Sequence, residues 1–209
     1  LIHTRRAIRN FKNKPVSKEL LEKIVSAISF APPGYPPIKF EITVVSDPEI
    51  IKRSLPHMIK LYDSLVDVMN NPIKRFIVKK KVGTQKFNLM QVHLIPLLKS
   101  RLAELKEGIE DTLTRHAPAL ILFHLDRNGV EASEDIMVAA TYGMLAAHSL
   151  GLGGSIMSIL PPAIDKNKAL RTLFKIPAVN QVISSIIIGH PKHKYKRGIK
   201  RTIKEVAWL

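Results

Sequence analysis

Two apolar runs constrain this chain most: Ala119-Leu120-Ile121-Leu122-Phe123, and Val182-Ile183-Ser184-Ser185-Ile186-Ile187-Ile188. The first is a continuous apolar run, as expected of a strand covered on both faces, and the second reads as the last apolar strand of the chain. Helices accompany these strands in the sequence. Residues 17–29 carry Leu20, Leu21, Ile24, Val25 and Ile28 at helical spacing, with Ser17 as N-cap and Glu19 in the first turn. Residues 132–150 read as a longer helix with Ile136, Ala139, Ala140, Met144, Leu145 and Ala147 inward, ended by Gly151. Phe40, Ile42 and Val44 alternate with Glu41 and Thr43, which predicts a half-buried strand. A further strand is expected around 154–159, then a short helix from Pro161-Pro162 to about residue 174. Asp47-Pro48 opens another short helix, and the stretch 56–112 is polar and helical in composition, broken at Asn70-Asn71-Pro72. The pattern is an α/β or α+β domain with about four or five strands, occupying residues 1–209 as one unit.

Composition narrows the function classes. The chain has 33 Lys+Arg against 17 Asp+Glu, a net charge of +16, yet its 45% hydrophobic content is too high for a disordered basic tail. A balance this basic suggests nucleic acid, an anionic membrane surface or a phosphate-bearing ligand, depending on where the charge sits. No stretch approaches the roughly 18–20 apolar residues of a membrane span, and the N-terminus has no apolar signal core. A cytoplasmic protein with no membrane partner is expected. Zero cysteines exclude disulfides, thiolate catalysis, Fe–S ligation and Cys-based zinc sites within these residues.

Gly151-Leu152-Gly153-Gly154 is not a dinucleotide fingerprint, because a helix precedes it and a strand follows, the reverse of the order that motif needs. His190 and His193 have no carboxylate at a ligand spacing, so no metal site is expected. Gly-x-Ser-x-Gly is absent and hydrolytic machinery with it. The basic run Lys74-Arg75 and Lys79-Lys80-Lys81 reads as a solvated surface, without the interleaved aromatics that stack on bases. Arg5-Arg6-Ala7-Ile8-Arg9 fits either a bidentate phosphate clamp or a loose basic arm.

Taken together, these segments resemble the FMN-dependent nitroreductase family. Arg5-Arg6-Ala7-Ile8-Arg9-Asn10-Phe11 is similar to its Arg-Arg-Ser-x-Arg-x-Phe signature, and Ala31-Pro32 to its Ala/Ser-Pro-Ser turn. Ala146-Ala147-His148-Ser149-Leu150-Gly151-Leu152-Gly153 resembles its Ala-Ala-x-x-Leu-Gly-Leu-Gly, and Ile176-Pro177 with Gly189-His190-Pro191 its Ile-Pro…Gly-Tyr-Pro ending. The turn Ala31-Pro32-Pro33-Gly34-Tyr35-Pro36-Pro37 and the tail Lys194-Tyr195-Lys196-Arg197 look like the branch fused behind a ferredoxin with two [4Fe–4S] clusters. On that likeness, and because no initiator Met is present, a ferredoxin-like segment is expected ahead of Leu1.

The resemblance implies an α+β sandwich: a central, mostly antiparallel sheet flanked by helices, in a homodimer with FMN at the subunit interface. It implies that Arg5, Arg6 and Arg9, Ala7 in the signature's serine position, and Arg201 with Lys200 or Arg197 from the tail surround the FMN phosphate. Pro32, Pro33 and Gly34 would lie against the ring. Ile156, Met157, Ser158 and Ile159 would contact it near its redox-active nitrogen, where a backbone N–H or the Ser158 hydroxyl stabilises negative charge. Asp135 aligns near the ribityl chain or ring. No side-chain acid or base is required, since the flavin carries the chemistry. The implied activity is ping-pong electron transfer from NAD(P)H or ferredoxin to a nitroaromatic, quinone or other small acceptor. Two competing readings are a flavin-fold binder without redox turnover and a basic nucleic-acid-binding protein. Three departures stand out: Ala7 lacks the signature hydroxyl, Asn-x-Gln-Pro-Trp is absent after the turn, and residues 56–112 match only in being helical.

Overall fold

The structure is a computed structural model that describes residues 1–108, 110–128, 133–195, 197–199 and 201–208. Four strands form one sheet, β1 (Glu41–Val45), β2 (Ala119–Asp126), β3 (Gly153–Ile156) and β4 (Asn180–Gly189), in the order β1-β2-β4-β3 with every pair antiparallel. The two apolar runs are therefore the two central strands, as their composition requires. Alternate residues of β2 serve opposite layers: Leu120 and Leu122 face one core, and Ala119, Ile121 and Phe123 the other. Each fully buried Leu, Ile or Phe adds about 1.5–3 kcal/mol relative to exposure.

One layer is made by α1 (Lys18–Ser29) and α6 (Ser133–Ser149), which pack on each other and on the sheet. Gly143 permits this contact, because a Cβ there would lie 3.1 Å from the Ile28 side chain. The opposite layer holds α2 (Pro48–Asn70), α5 (Ile95–Lys106), α7 (Leu160–Lys166) and α8 (Lys168–Leu173). Between α2 and α5 lie α3 (Pro72–Val82), α4 (Thr84–Leu89) and a π-helical turn, Met90–Leu94. The α+β sandwich with a mostly antiparallel sheet is observed, with four strands.

Three boundaries differ from the sequence expectation. The helix opened by Asp47-Pro48 runs 23 residues, because Ile51, Ser54, Met58, Tyr62 and Met69 continue one buried face past Pro56. The strand expected over 154–159 ends at Ile156, and Met157–Ile159 turns from one sheet face to the other. The helix expected through about residue 174 is two helices, divided at Asn167, whose side chain accepts from Leu170 N to cap the second. As read, Ser17 caps α1. The Gly151 end of α6 is a Schellman closure: Leu152 N donates to Ala147 O and Gly151 N to His148 O, with Gly151 at φ 76°.

A polar cluster interrupts the sheet next to a register shift between Phe123 and His124. Buried His124 holds Thr43 Oγ1 at Nε2 (3.0 Å), and its Nδ1 accepts from Asn180 Nδ2 (2.8 Å). Asn180 Nδ2 also donates to Glu41 Oε1, and Arg171 donates to Asn180 O.

Candidate functional site

The N-terminal arm is laid down by backbone pairing. Ala7 bridges Gly154 in parallel, Ile8 N donates to Gly154 O (3.0 Å), Lys12 N to His190 O (2.8 Å) and Lys192 N to Asn10 O (3.0 Å). Two glycines make room for it. A Cβ on Gly153 would come within 2.6 Å of the Ile8 side chain, and one on Gly189 within 2.7 Å of Phe11 and of Pro118. The signature arm, the Leu-Gly-Leu-Gly segment and Gly189-His190-Pro191 are thus one contact cluster, although they span the length of the chain.

An extended arm sorts its arginines by parity. Arg6 and Ile8 point into a cavity of about 280 Å³ shared with His148, Leu152 and Tyr195. There Arg6 donates to the Arg197 carbonyl from Nε (3.1 Å) and Nη2 (2.6 Å), and its guanidinium lies 4.7 Å from the Tyr195 ring centre. The structure therefore joins the N-terminal arm to the tail through Arg6, with a backbone carbonyl as its acceptor. Thr4 Oγ1 holds His148 Nε2 alongside (2.9 Å). Ala7 and Arg9, of the opposite parity, are exposed, and Arg5 closes the preceding turn with its N–H on Leu1 O (3.1 Å). Arg201 is exposed, and Lys200 lies outside the described residues.

Two arginines invisible in the sequence motifs belong with Arg9. Arg101 on α5 is half-buried, and burial lowers its pKa first, followed by the positive charges of Arg115 and Arg9; Glu104 acts in the opposite direction. Among the described residues no carboxylate lies within ion-pair distance of Arg5, Arg9 or Arg101. Arg115 has only Glu110 at 3.9 Å, and its buried Nε has no partner. Desolvated cations that repel one another are stabilised by an anion arriving among them.

Arg101 also borders an apolar cavity of about 550 Å³ between α2 and the π-helical turn. Leu61, Leu65, Met90 and Leu94 line it, and Ser158 and Ile159 stand at its edge. The turn carrying those two is fixed from both sides. Met157 N donates to Ser185 O (2.9 Å), Ser185 Oγ donates to Met157 O (2.7 Å), and the buried Tyr62 hydroxyl donates to Ile159 O. Burial pushes the Tyr62 pKa well above the ordinary phenol value, so it remains a donor. Ser158 is exposed, and no main-chain acceptor among the described residues takes its N–H.

A third element lies on the α1/α6 layer. Asp135, in the first turn of α6, accepts from Gly34 N at 2.8 Å. A Cβ on Gly34 would sit 3.3 Å from that carboxylate, so the glycine allows the turn to close on Asp135. Two residues 101 positions apart in sequence are brought together here, with Pro32 exposed and Pro33 half-buried beside them. The two cavities that Ser158 borders include neither Gly34 nor Asp135.

Comparison with known proteins accords with this geometry. The model of the nitroreductase family matches residues 2–190. A nitroreductase with bound FMN from Bacteroides fragilis superposes with TM-score 0.70 at 18% identity, covering 100% of this chain and 95% of that one. A nitroreductase with bound FMN from Desulfitobacterium hafniense gives TM-score 0.68 at 19% identity, covering 100% and 95%. An FMN-dependent nitroreductase from Clostridium difficile gives 0.65 at 19%, covering 100% and 97%. No curated protein matches the chain. The chain belongs to the nitroreductase family.

Proposed function

We propose that this chain is an FMN-dependent oxidoreductase whose phosphate site is centred on Arg5 and Arg9, with Arg101 and Arg115 completing it. The observation that carries this reading is the neighbouring guanidiniums of Arg9, Arg101 and Arg115, the last two half-buried, of which only Arg115 has a carboxylate, Glu110 at 3.9 Å, among the described residues. The residues fit the group. The arginines would meet the phosphate, the glycine turn at Gly34 would present backbone to a flat ring, and the exposed Ser158 could donate from its N–H and hydroxyl. Bound FMN supplies two-electron transfer. The protein's part is to hold and orient: Asp135 fixes the Gly34 turn, while Tyr62 and Ser185 fix the Met157–Ile159 turn. Arg6 positions the tail and leaves the phosphate to Arg5 and Arg9. The cavities that Ser158 borders do not include Gly34, which favours a homodimer in which the Gly34 turn of one chain and the Met157–Ile159 turn of its partner would together hold the flavin.

In this reading residues 1–209 form one flavin-binding domain acting in the cytoplasm. NAD(P)H or a ferredoxin-type protein donates electrons, the latter delivered from a fused or separate chain, and a small aromatic such as a nitroaromatic or quinone accepts them. The turn 31–37 and the tail 194–197 support the ferredoxin-linked branch by resemblance. The test is the visible spectrum of the purified protein and titration with FMN. A yellow protein that quenches added flavin, and whose Arg5→Ala and Arg9→Ala variants lose affinity more than Arg6→Ala, is expected. A colourless protein that leaves flavin fluorescence unchanged refutes the proposal. Oxidation of NAD(P)H with a nitroaromatic then separates an enzyme from a flavin binder without turnover.

A further inference from the structure

The stretch from Val68 to Ala103 contains Lys74, Arg75, Lys79, Lys80, Lys81, Lys86, Lys99 and Arg101 and no acidic residue, so these 36 residues hold half of the net charge of +16. Part of this charge sits on an apolar surface. Helix α3 has no buried residue. Its half-buried Val78 and Val82 face the core, and the opposite side exposes Ile73 (73%), Phe76 (58%) and Ile77 (58%) as one ridge. Lys80 lies within that ridge with its Nζ 5.0 Å from the Phe76 ring centre, and Lys79, Lys81 and Lys74 flank it. The chain beyond Gly83 continues the pattern with exposed Leu89 and Val92.

Scattered exposed apolar side chains need no partner, but a ridge edged by lysines with no acid among them does. A two-fold contact that lays this face on itself is disfavoured, because it would oppose two purely cationic faces. An acidic protein would answer the lysines and leave the exposed apolar ridge without a purpose. We propose that α3 seats this protein on the surface of an anionic lipid bilayer, with Ile73, Phe76 and Ile77 at the headgroup/acyl boundary and the lysines on lipid phosphates. No helix of the described residues is long and apolar enough to cross a membrane, and this mode of binding requires none.

The test is co-sedimentation of the full chain with phosphatidylcholine vesicles, with and without phosphatidylglycerol, at low and high salt. Binding only to the anionic vesicles, weakened by salt, is expected. Ile73→Ser/Phe76→Ser/Ile77→Ser should lower partitioning at least about tenfold with the charge untouched. Lys79→Gln/Lys80→Gln/Lys81→Gln should lower it about a hundredfold, roughly fivefold per lysine. Unchanged melting temperatures establish that both variants fold. Three results overturn the proposal: no preference for anionic vesicles; a ridge variant that binds like the wild type while the lysine variant does not, which marks a polyanion or acidic-protein surface; or a ridge variant that changes the oligomeric state in sedimentation equilibrium, which marks a subunit contact.

Discussion

Replacing Gly153 by alanine tests the contact on which the arm depends. The added methyl would lie 2.6, 2.7 and 2.8 Å from Cγ1, Cβ and Cγ2 of Ile8. Rotating Ile8 about χ1 moves its γ carbons but not its Cβ, so no rotamer relieves the clash. Either β3 shifts or the arm lifts, stretching the bond from Ile8 N to Gly154 O. Overpacking of this kind costs about 1–3 kcal/mol. For a domain of this size each kcal/mol lowers Tm by about 2–4 °C, so a fall of a few to about ten degrees is expected. Because the same arm carries Arg5 and Arg9, FMN affinity should fall with it, tenfold for each 1.4 kcal/mol by which docking is weakened. The assay is a double-mutant cycle with Ile8→Gly, read by thermal melts and FMN titration. On the Ile8→Gly background the three clashing atoms are gone, and the alanine should cost nothing further. Equal losses on both backgrounds, or a Gly153→Ala protein that melts and binds like the wild type, would refute the reasoning.

Three other outcomes are expected. Asp135→Ala should loosen the Gly34 turn and weaken FMN binding severalfold, whereas Asp135→Asn keeps a carbonyl acceptor for Gly34 N and should retain most of the affinity; equal behaviour of the two variants in titration would discard the anchor. Tyr62→Phe removes the donor to the Ile159 carbonyl, and the stranded acceptor should cost about 1–3 kcal/mol in urea melts. His124 has its pKa lowered, mainly by burial and further by Arg171, with Glu41 opposing. Its Nδ1 must stay unprotonated to accept from Asn180. The unfolded chain therefore takes up this proton more readily, so the stabilisation is full above the ordinary histidine value of about 6.5 and is lost as pH falls through the depressed folded pKa. Melts between pH 8 and 5 should show this decline, reduced in His124→Gln, and an identical profile for both proteins would exclude His124 as its source.

The parts of the fold legible in the sequence are those where one local rule acts alone. The run 119–123 announces a central strand because covering both faces removes the alternation, while Ser17 marks a helix start through its hydroxyl and Gly151 a helix end through its φ of 76°. The length of α2 escapes the same reasoning. Pro56 lies inside it, yet a face buried from Ile51 to Met69 outweighs the missing N–H. The end of β3 is equally illegible, because it is set by Ser185 on a neighbouring strand, which takes both the N–H and the carbonyl of Met157. Arg101 and Arg115 sit in no motif, and only the packing of α5 and of the segment before β2 near the arm gives them a role.

The three arginines of the opening segment have different surroundings, which the motif alone does not distinguish. Composition treats Arg5, Arg6 and Arg9 as equivalent cations five residues from end to end. Once the segment is extended, the period of two makes them different. Ile8 must be buried against Gly153, so Arg6 is turned with it toward the tail carbonyl at Arg197 and the Tyr195 ring. Ala7 and Arg9, of the opposite parity, stay exposed. The missing serine hydroxyl is therefore lost from the face that keeps the free cations, where Arg101 and Arg115 approach Arg9. A phosphate there would exchange a hydroxyl donor for charge-assisted guanidinium bonds, roughly twice as strong as neutral ones. The buried isoleucine, more than the arginines themselves, decides which guanidiniums remain available to an anion.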